Sequence, residues 1–222
     1  MIKLFVFDLD GVLASTGDEH FLAWKDILEP TFQMKIADEV EEKTKGVSRL
    51  ESLNRILEEY GLEHTISQEE KEDLAFQKNE LYKAMISKFD EHNLFPGVIK
   101  LLEYLRERGI LIALGSASKN GPTLLECTGI KQYFDYVVNP APLNSKPHPD
   151  IFLDAVNHFQ LDPSECVGIE DAVSGVSAIK SANMFAIGIG DSDILHEADI
   201  VFESIGKIDF DFLDSLVGEK YE

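Results

Sequence analysis

Four polar clusters in this chain carry the residue types that phosphoryl chemistry needs, and each breaks off an apolar run. Asp8 and Asp10 end Leu4-Phe5-Val6-Phe7, Ser116 and Ser118 follow Ile110 to Gly115, Lys146 stands in Ser145-Lys146-Pro147, and Glu170-Asp171 closes Cys166-Val167-Gly168-Ile169. Carboxylates two residues apart attract a divalent cation through hard oxygen ligands, and one of them can attack a phosphorus centre. A hydroxyl and a fixed ammonium orient phosphoryl oxygens, and a second pair of acids completes a magnesium shell. Singly, each fragment has a plainer reading. Asp-x-Asp-Gly is an acidic turn, Ser116 a turn residue, Lys146 a solvated loop lysine and Glu170-Asp171 a helix N-cap. Their joint occurrence at the ends of apolar runs, in this order, favours the chemical reading.

That reading requires an element pattern that brings the clusters together. The run before Asp8 is dense enough for a strand buried on both faces, and Gly11 allows a sharp turn after it. From Phe95-Pro96-Gly97 onward, helices and strands alternate. A helix near 97–108 stops at Gly109, a strand covers Ile110 to Gly115, and Gly121-Pro122 opens another helix. Further strands are expected at 135–138, 166–169, 184–189 and 199–202, with helices to about Phe159 and over 172–182. Alternation of this kind implies parallel strands with right-handed crossovers, hence a Rossmann-like, doubly wound α/β sheet. Ligands bind such sheets at the carboxyl ends of the strands. All four clusters belong to that edge.

Residues from about 15 to 92 contain no convincing strand. Phe21, Trp24, Ile27 and Leu28 form one apolar stripe with His20 on the same side, and Leu50, Leu53, Leu57 and Tyr60 form another behind a capping box at Ser48 to Glu51. Ser67 opens a third helix, whose stripe Leu74–Lys78–Leu81–Met85 includes a lysine. The chain therefore divides into an α/β core of 1–14 and 93–222 and an inserted all-helical cap of 15–92. In the cap, Arg49 stands in a first helical turn, where the macrodipole disfavours a cation and a bound anion would offset the cost. Lys78 either snorkels or meets something inside an interface. His20 and Trp24 also read as partly buried or core residues, Ser48 as an N-cap, and Ser52 as a solvated position.

Bulk composition restricts the partners. Lys+Arg 20 against Asp+Glu 41 gives a formal charge of −21. Such a surface repels nucleic acid and anionic membrane, and it obliges any anionic substrate to find a local cationic pocket. Cys127 and Cys166 lack metal or redox spacing and read as core thiols in a reducing compartment. No apolar run approaches the roughly 18 residues of a membrane span. A cytoplasmic monomer acting on a small molecule is the expectation.

The four clusters resemble the signatures of the haloacid dehalogenase-like phosphotransferases, and the likeness runs over nearly the whole chain. Within that family the more detailed similarity is to the β-phosphoglucomutases. It is carried by Asp10-Gly11-Val12, His20-Phe21-x-x-Trp24-Lys25, Lys45-Gly46-Val47-Ser48-Arg49, Ser116 to Pro122, and Lys146-Pro147-x-Pro149-Asp150-Ile151-Phe152. One departure is Ser15, where members often carry Asp. The resemblance implies an isomerase of carbohydrate metabolism that interconverts β-D-glucose 1-phosphate and glucose 6-phosphate, with β-glucose 1,6-bisphosphate as activating intermediate. It implies Asp8 as nucleophile, Asp10 as general acid/base and His20 as its helper. One Mg²⁺ would be bound by the Asp8 carboxylate, the Asp10 carbonyl, Glu170 and Asp171. Ser116, Ala117 and Lys146 would hold the transferring phosphoryl group, and Arg49, Ser118, Lys119 and Asn120 a distal phosphate. Trp24, Gly46, Val47, Ser48, Ser52 and Lys78 would close on the sugar phosphate from the cap. Two alternatives stay open: a Mg²⁺-dependent sugar-phosphate phosphatase of the same family, and a non-catalytic relative that binds a phosphorylated ligand.

Overall fold

The computed structural model describes residues 1–45 and 47–218. Six parallel strands form one sheet: β1 (Leu4–Phe7), β2 (Leu111–Leu114), β3 (Tyr136–Val137), β4 (Cys166–Glu170), β5 (Phe185–Ile189) and β6 (Ile200–Phe202), in the order β3-β2-β1-β4-β5-β6. Strand β1 is central, with Leu4 opposite Leu111 on one side and Cys166 on the other. Its four residues are all buried, and the two-residue period of a strand sends them to different layers. Phe5 and Phe7 join one apolar cluster, Leu4 and Val6 the other. Helix α5 (Val98–Glu107) and helix α9 (Phe210–Val217) cover the phenylalanine side. Helix α7 (Asp150–His158) and helix α8 (Val173–Ser181) cover the opposite side. This is the doubly wound α/β architecture expected from the alternating pattern. The chain builds outward from β1 through β2 to β3 and then returns to place β4 beside β1. The switch point of the sheet therefore falls between the strands that end in Asp8 and Asp171.

Between β1 and α5 the chain forms α1 (Gly17–Phe32), α2 (Glu41–Thr44), α3 (Arg49–Glu59) and α4 (Gln68–Ile86). Helices α1, α3 and α4 share an apolar cluster built on Phe21, Trp24, Leu28, Leu53, Ile56, Leu57 and Leu74. They are not sealed off from the sheet, because Ala23, Tyr82 and Ile86 belong to the cluster on the phenylalanine side. The outgoing and returning connections run side by side, with Ala14 bridged antiparallel to Leu94 and the Phe95 N–H donating to the Leu13 carbonyl at 3.0 Å.

Several local expectations need correction. At α3 only half of the capping box forms: Ser48 accepts from the Glu51 N–H at 3.3 Å, but the Glu51 carboxylate accepts from Arg55 at 3.0 Å instead of turning back. The capping box at α4, Ser67 with Glu70, is complete. Leu50 does not share the buried face of α3. It is 37% exposed, because the first turn of α3 overhangs a cleft, and Ile56 is buried in its stead. On α4 Leu74 and Lys78 are buried as expected, but the buried face runs on through Ala75, Tyr82 and Ile86, one position further round, with Leu81 and Met85 only partly covered. Helix α4 packs against the cap on one flank and the sheet domain on the other, so its buried surface spans two stripes. Ser52 is buried rather than solvated, its hydroxyl donating to the Thr44 carbonyl at 3.1 Å. Cys166 is buried, whereas Cys127 near the end of a short surface helix is half-buried.

Candidate active site

The floor of the cleft is set by the ends of β1 and β4. The Asp8 N–H donates to the Ile169 carbonyl at 3.0 Å, which continues the sheet register and leaves the Asp8 carboxyl at the strand end. The turn that follows needs glycine. Gly11 has φ +82°, and a Cβ there would fall 1.9 Å from Asp171 Oδ2. Glu170 is fully buried. Its Oε2 accepts from the main-chain N–H groups of Asp171 and Ala172, both at 2.9 Å, ahead of the first turn of α8. Gly175 leaves the room for this, since a Cβ at that position would meet Glu170 Oε1 at 1.9 Å.

Lys146 lies beneath this floor with no exposed side-chain surface. Its Nζ donates to Asp8 Oδ1 and to Glu170 Oε1, each at 2.5 Å. Burial pulls its pKa down, but the two carboxylate charges outweigh that and hold the ammonium above its ordinary range. One ammonium does not balance the acids present. Carboxylate oxygens of Asp8, Glu170 and Asp171 lie within 4.8 Å of one another. Burial, followed by the charges of Glu170, Asp8 and Asp10, raises Asp171 well above the usual carboxylate range. Burial, reinforced by Asp8, also raises Glu170. Hard oxygens crowded in this way, with an unpaid excess of negative charge, fit a divalent cation such as Mg²⁺.

Above the floor, Asp10 faces residues from α1 and α4. Its Oδ1 is buried without a hydrogen-bond partner, and Oδ2 lies 3.9 Å from His20 Nε2. Burial, then the neighbouring Asp8 charge, raises the Asp10 pKa to about 7. Lys78 is 1% exposed and does not snorkel. Its Nζ donates to His20 Nδ1 and lies 4.8 Å from the centre of the Tyr82 ring and 5.4 Å from that of Trp24. In its ammonium form Lys78 can only donate, and a neutral His20 then carries its proton on Nε2, toward Asp10. Burial, then the positive charges of Lys78 and Arg49, holds His20 well below its ordinary pKa, so the ring is neutral. Burial, then Arg49, lowers Lys78 to about 7. The His20 ring is clamped by stacking on Tyr82 at 3.8 Å.

A second group of cations and amides lies across the junction of cap and core. Arg49 donates to Asn79 Oδ1 at 2.6 Å, and Asn120 donates to the same oxygen at 2.9 Å. The connection leading from β2 to helix α6 (Gly121–Cys127) is shaped by its own serines, with Ser116 Oγ accepting from the Ser118 N–H at 3.0 Å and Ser118 Oγ from the Asn120 N–H at 3.3 Å. Among the described residues, no carboxylate forms an ion pair with Arg49, Lys78 or Lys119. In a chain of charge −21, three such cations lining one cleft give it a local positive character.

The cleft between these parts has a volume of about 600 Å³. Asp8, Asp10, His20, Trp24, Val47, Ser48, Arg49, Ser52, Lys78, Ser116, Ala117, Ser118, Lys119 and Asp171 all line it. Lys146 and Glu170 support it from below. Asn120 is buried off the cavity wall, tied to Asn79. Gly46 lies outside the described residues. Ser15 is exposed at the wall of the cleft. Sequence reasoning did not single out Asn79, Tyr82 or Gly175. Tyr82 stands four residues after Lys78, a spacing that could have flagged it. Asn79 and Gly175 carry no periodic or compositional signal.

Comparison with known proteins gives a consistent picture. The family model of the haloacid dehalogenase-like hydrolases matches residues 2–183. The chain is 40% identical over 213 residues to a β-phosphoglucomutase of Bacillus subtilis strain 168, covering 96% of this chain and 94% of that one. It is 28% identical over 186 residues to a phosphorylated carbohydrates phosphatase of Thermotoga maritima, covering 82% of each. The crystal structure of a β-phosphoglucomutase from Clostridium difficile superposes with a TM-score of 0.94 at 38% identity, covering 98% of this chain and 97% of that one.

Proposed function

The chain belongs to the haloacid dehalogenase-like hydrolase family, and on that premise we propose that it interconverts β-D-glucose 1-phosphate and glucose 6-phosphate through β-glucose 1,6-bisphosphate. Asp8 carries the phosphoryl group as an aspartyl phosphate. In the forward direction that group passes to the 6-hydroxyl of the bound sugar, and Asp10 takes the hydroxyl proton. The bisphosphate then turns end for end. Asp8 attacks the phosphorus at C1, Asp10 returns the proton to the leaving oxygen, and glucose 6-phosphate departs with Asp8 phosphorylated again. An Asp10 pKa of about 7 suits a group that must act in both directions near neutrality. Neutral His20 holds its Nε2 proton toward Asp10, and Lys78 fixes that tautomer. Lys146, Ser116 and the Ala117 N–H steady the transferring group.

The Asp8 carboxylate, the Asp10 main-chain carbonyl, Glu170 and Asp171 would hold Mg²⁺, which when bound supplies neutralisation of phosphoryl charge. We assign 1–14 and 93–222 to a core and 15–92 to a cap that closes over the substrate and excludes water. The two unpaired cysteines, with no described helix long and apolar enough to cross a membrane, suit the cytoplasm.

The observation that carries the mutase reading is the second anion grip. Arg49 from the cap meets Asn120 from the core through Asn79, beside the unpaired Lys119. A phosphatase needs to hold one phosphate, whereas a mutase must hold a bisphosphate in two orientations. The alternative is a Mg²⁺-dependent sugar-phosphate phosphatase, the activity named for the Thermotoga maritima relative. A coupled assay of α- and β-glucose 1-phosphate, with phosphate release followed in parallel, separates them. The mutase converts the β anomer alone and faster with added bisphosphate. Rapid phosphate release from hexose phosphates without isomerisation would establish the phosphatase.

A further inference from the structure

Asn79 lies on α4, directly after Lys78. It is half-buried and points no group at Asp8 or Asp10. Its Oδ1 nevertheless accepts from two residues that the chain brings from different parts, Arg49 at the start of α3 and Asn120 at the start of α6. A carbonyl oxygen has two lone pairs, and both are used here. The two donors are not exhausted: Arg49, which lines the cleft, has four further N–H groups for a phosphate, and the Asn120 amide has one more just behind the cavity wall. Asn79 thus restrains the donors in a fixed relation without competing for them. Burial lowers the Arg49 pKa, and the nearby Glu80 carboxylate, which accepts from the Asn79 amide at 3.5 Å without forming an ion pair with Arg49, offsets this only in part. A neutral acceptor orients the guanidinium while preserving its charge for an anion, whereas a carboxylate would cancel that charge.

We propose that Asn79 is a positioning residue that aligns Arg49 and Asn120 across the cap–core junction to receive the distal phosphate of the substrate. This rests on the mutase reading above. Preorganised donors lower the ordering cost of binding, so loss of Asn79 should act on affinity rather than on the chemical step.

The test measures Asn79→Ala and Asn79→Leu, the second near-isosteric and also without an acceptor. Each should raise the KM for β-glucose 1-phosphate and the concentration of β-glucose 1,6-bisphosphate needed for activation by about tenfold, with kcat within about threefold of the parent. Phosphorylation of Asp8 by acetyl phosphate, a donor with no distal phosphate, should be unaffected. In an Arg49→Ala background, adding Asn79→Ala should change KM by clearly less than it does in the parent, because one of the two restrained donors is already gone. The proposal is overturned if KM stays at the parental value, if acetyl phosphate turnover falls in parallel with affinity, or if the two substitutions act independently. A parent enzyme that releases phosphate without isomerising sugar would remove the mutase reading itself. A competent mutase with Asn79→Ala at parental KM would remove only the role of Asn79.

Discussion

The buried ammonium of Lys78 has aromatic rings and a neutral histidine around it, and no ion-paired carboxylate. Its folded pKa of about 7 lies below the ordinary 10.5, so the folded chain binds fewer protons than the unfolded one between those values. Stability from this group is therefore lowest below pH 7 and rises as pH climbs toward 10.5. Replacing Lys78 by Met removes the penalty. Urea unfolding should show Lys78→Met gaining on the parent at pH 6 relative to pH 10 by on the order of 2 kcal/mol, while mutase turnover falls. An equal gap at both pH values would show that Lys78 is not held as a depressed-pKa base. The nucleophile gives a sharper expectation at the same scale. Asp8→Asn keeps the shape of the side chain but removes the attacking charge, so phosphoryl transfer should drop by about 10⁴-fold or more. Acetyl phosphate should leave no acid-stable phosphoprotein signal on that variant. Retained turnover would favour a non-catalytic relative or a different nucleophile.

Helix α8 illustrates how an element, rather than a ligand, sets the metal site. Glu170 is anchored by main-chain N–H groups at the approach to this helix and by Lys146, and its carboxyl fits only because position 175 has no Cβ. Gly175→Ala would raise intrinsic helix propensity by roughly 1 kcal/mol. The clash at 1.9 Å should nonetheless displace Glu170 and weaken Mg²⁺ binding by about tenfold or more, as read by calorimetric titration. Undiminished Mg²⁺ affinity in a folded Gly175→Ala protein would mean that Glu170 contributes little to the ion. The cap is governed by the same kind of logic. Helix α4 presents Lys78 and Tyr82 to the His20 ring and Asn79 to Arg49 and Asn120, so one rigid element serves both parts of the proposed site.

At the scale of the whole molecule, the acid cluster links metal binding to folding. Asp10 is raised from 3.8 to about 7, and Glu170 and Asp171 are raised as well. The metal-free folded chain thus holds more protons than the unfolded one, and its stability falls as pH rises from about 4 through 7. A divalent cation binds the deprotonated cluster, so it should add more stability where the acids are ionised. Thermal melting with saturating Mg²⁺ should show a larger upward shift at pH 8 than at pH 5.5. A shift of equal size at both pH values would argue that the cluster is ionised throughout without the metal. Net charge acts in the same direction. With −21 on the chain, anionic substrate is favoured where Arg49, Lys78 and Lys119 line the cleft without an ion-paired carboxylate, so raising ionic strength should weaken substrate binding there.

The fold class and the gathering of the four polar clusters at one sheet edge were legible from the amino-acid order because they depend on local signals. Buried parallel strands read as short apolar runs, and Asp8, Ser116, Lys146 and Glu170-Asp171 occur where those runs or their crossovers end. Helix starts at Ser48 and Ser67 were equally local. What tertiary structure alone decided were the contacts between elements distant in sequence. Lys78 had two readings until the packing of α4 against α1 placed its Nζ on His20. The buried face of α4 extends one position further round because it meets both cap and core. Asn79 and Gly175 emerged only from the approach of Arg49, Asn120 and Glu170, since nothing in residue type or spacing records the atoms that come to lie beside a side chain, or beside its absence.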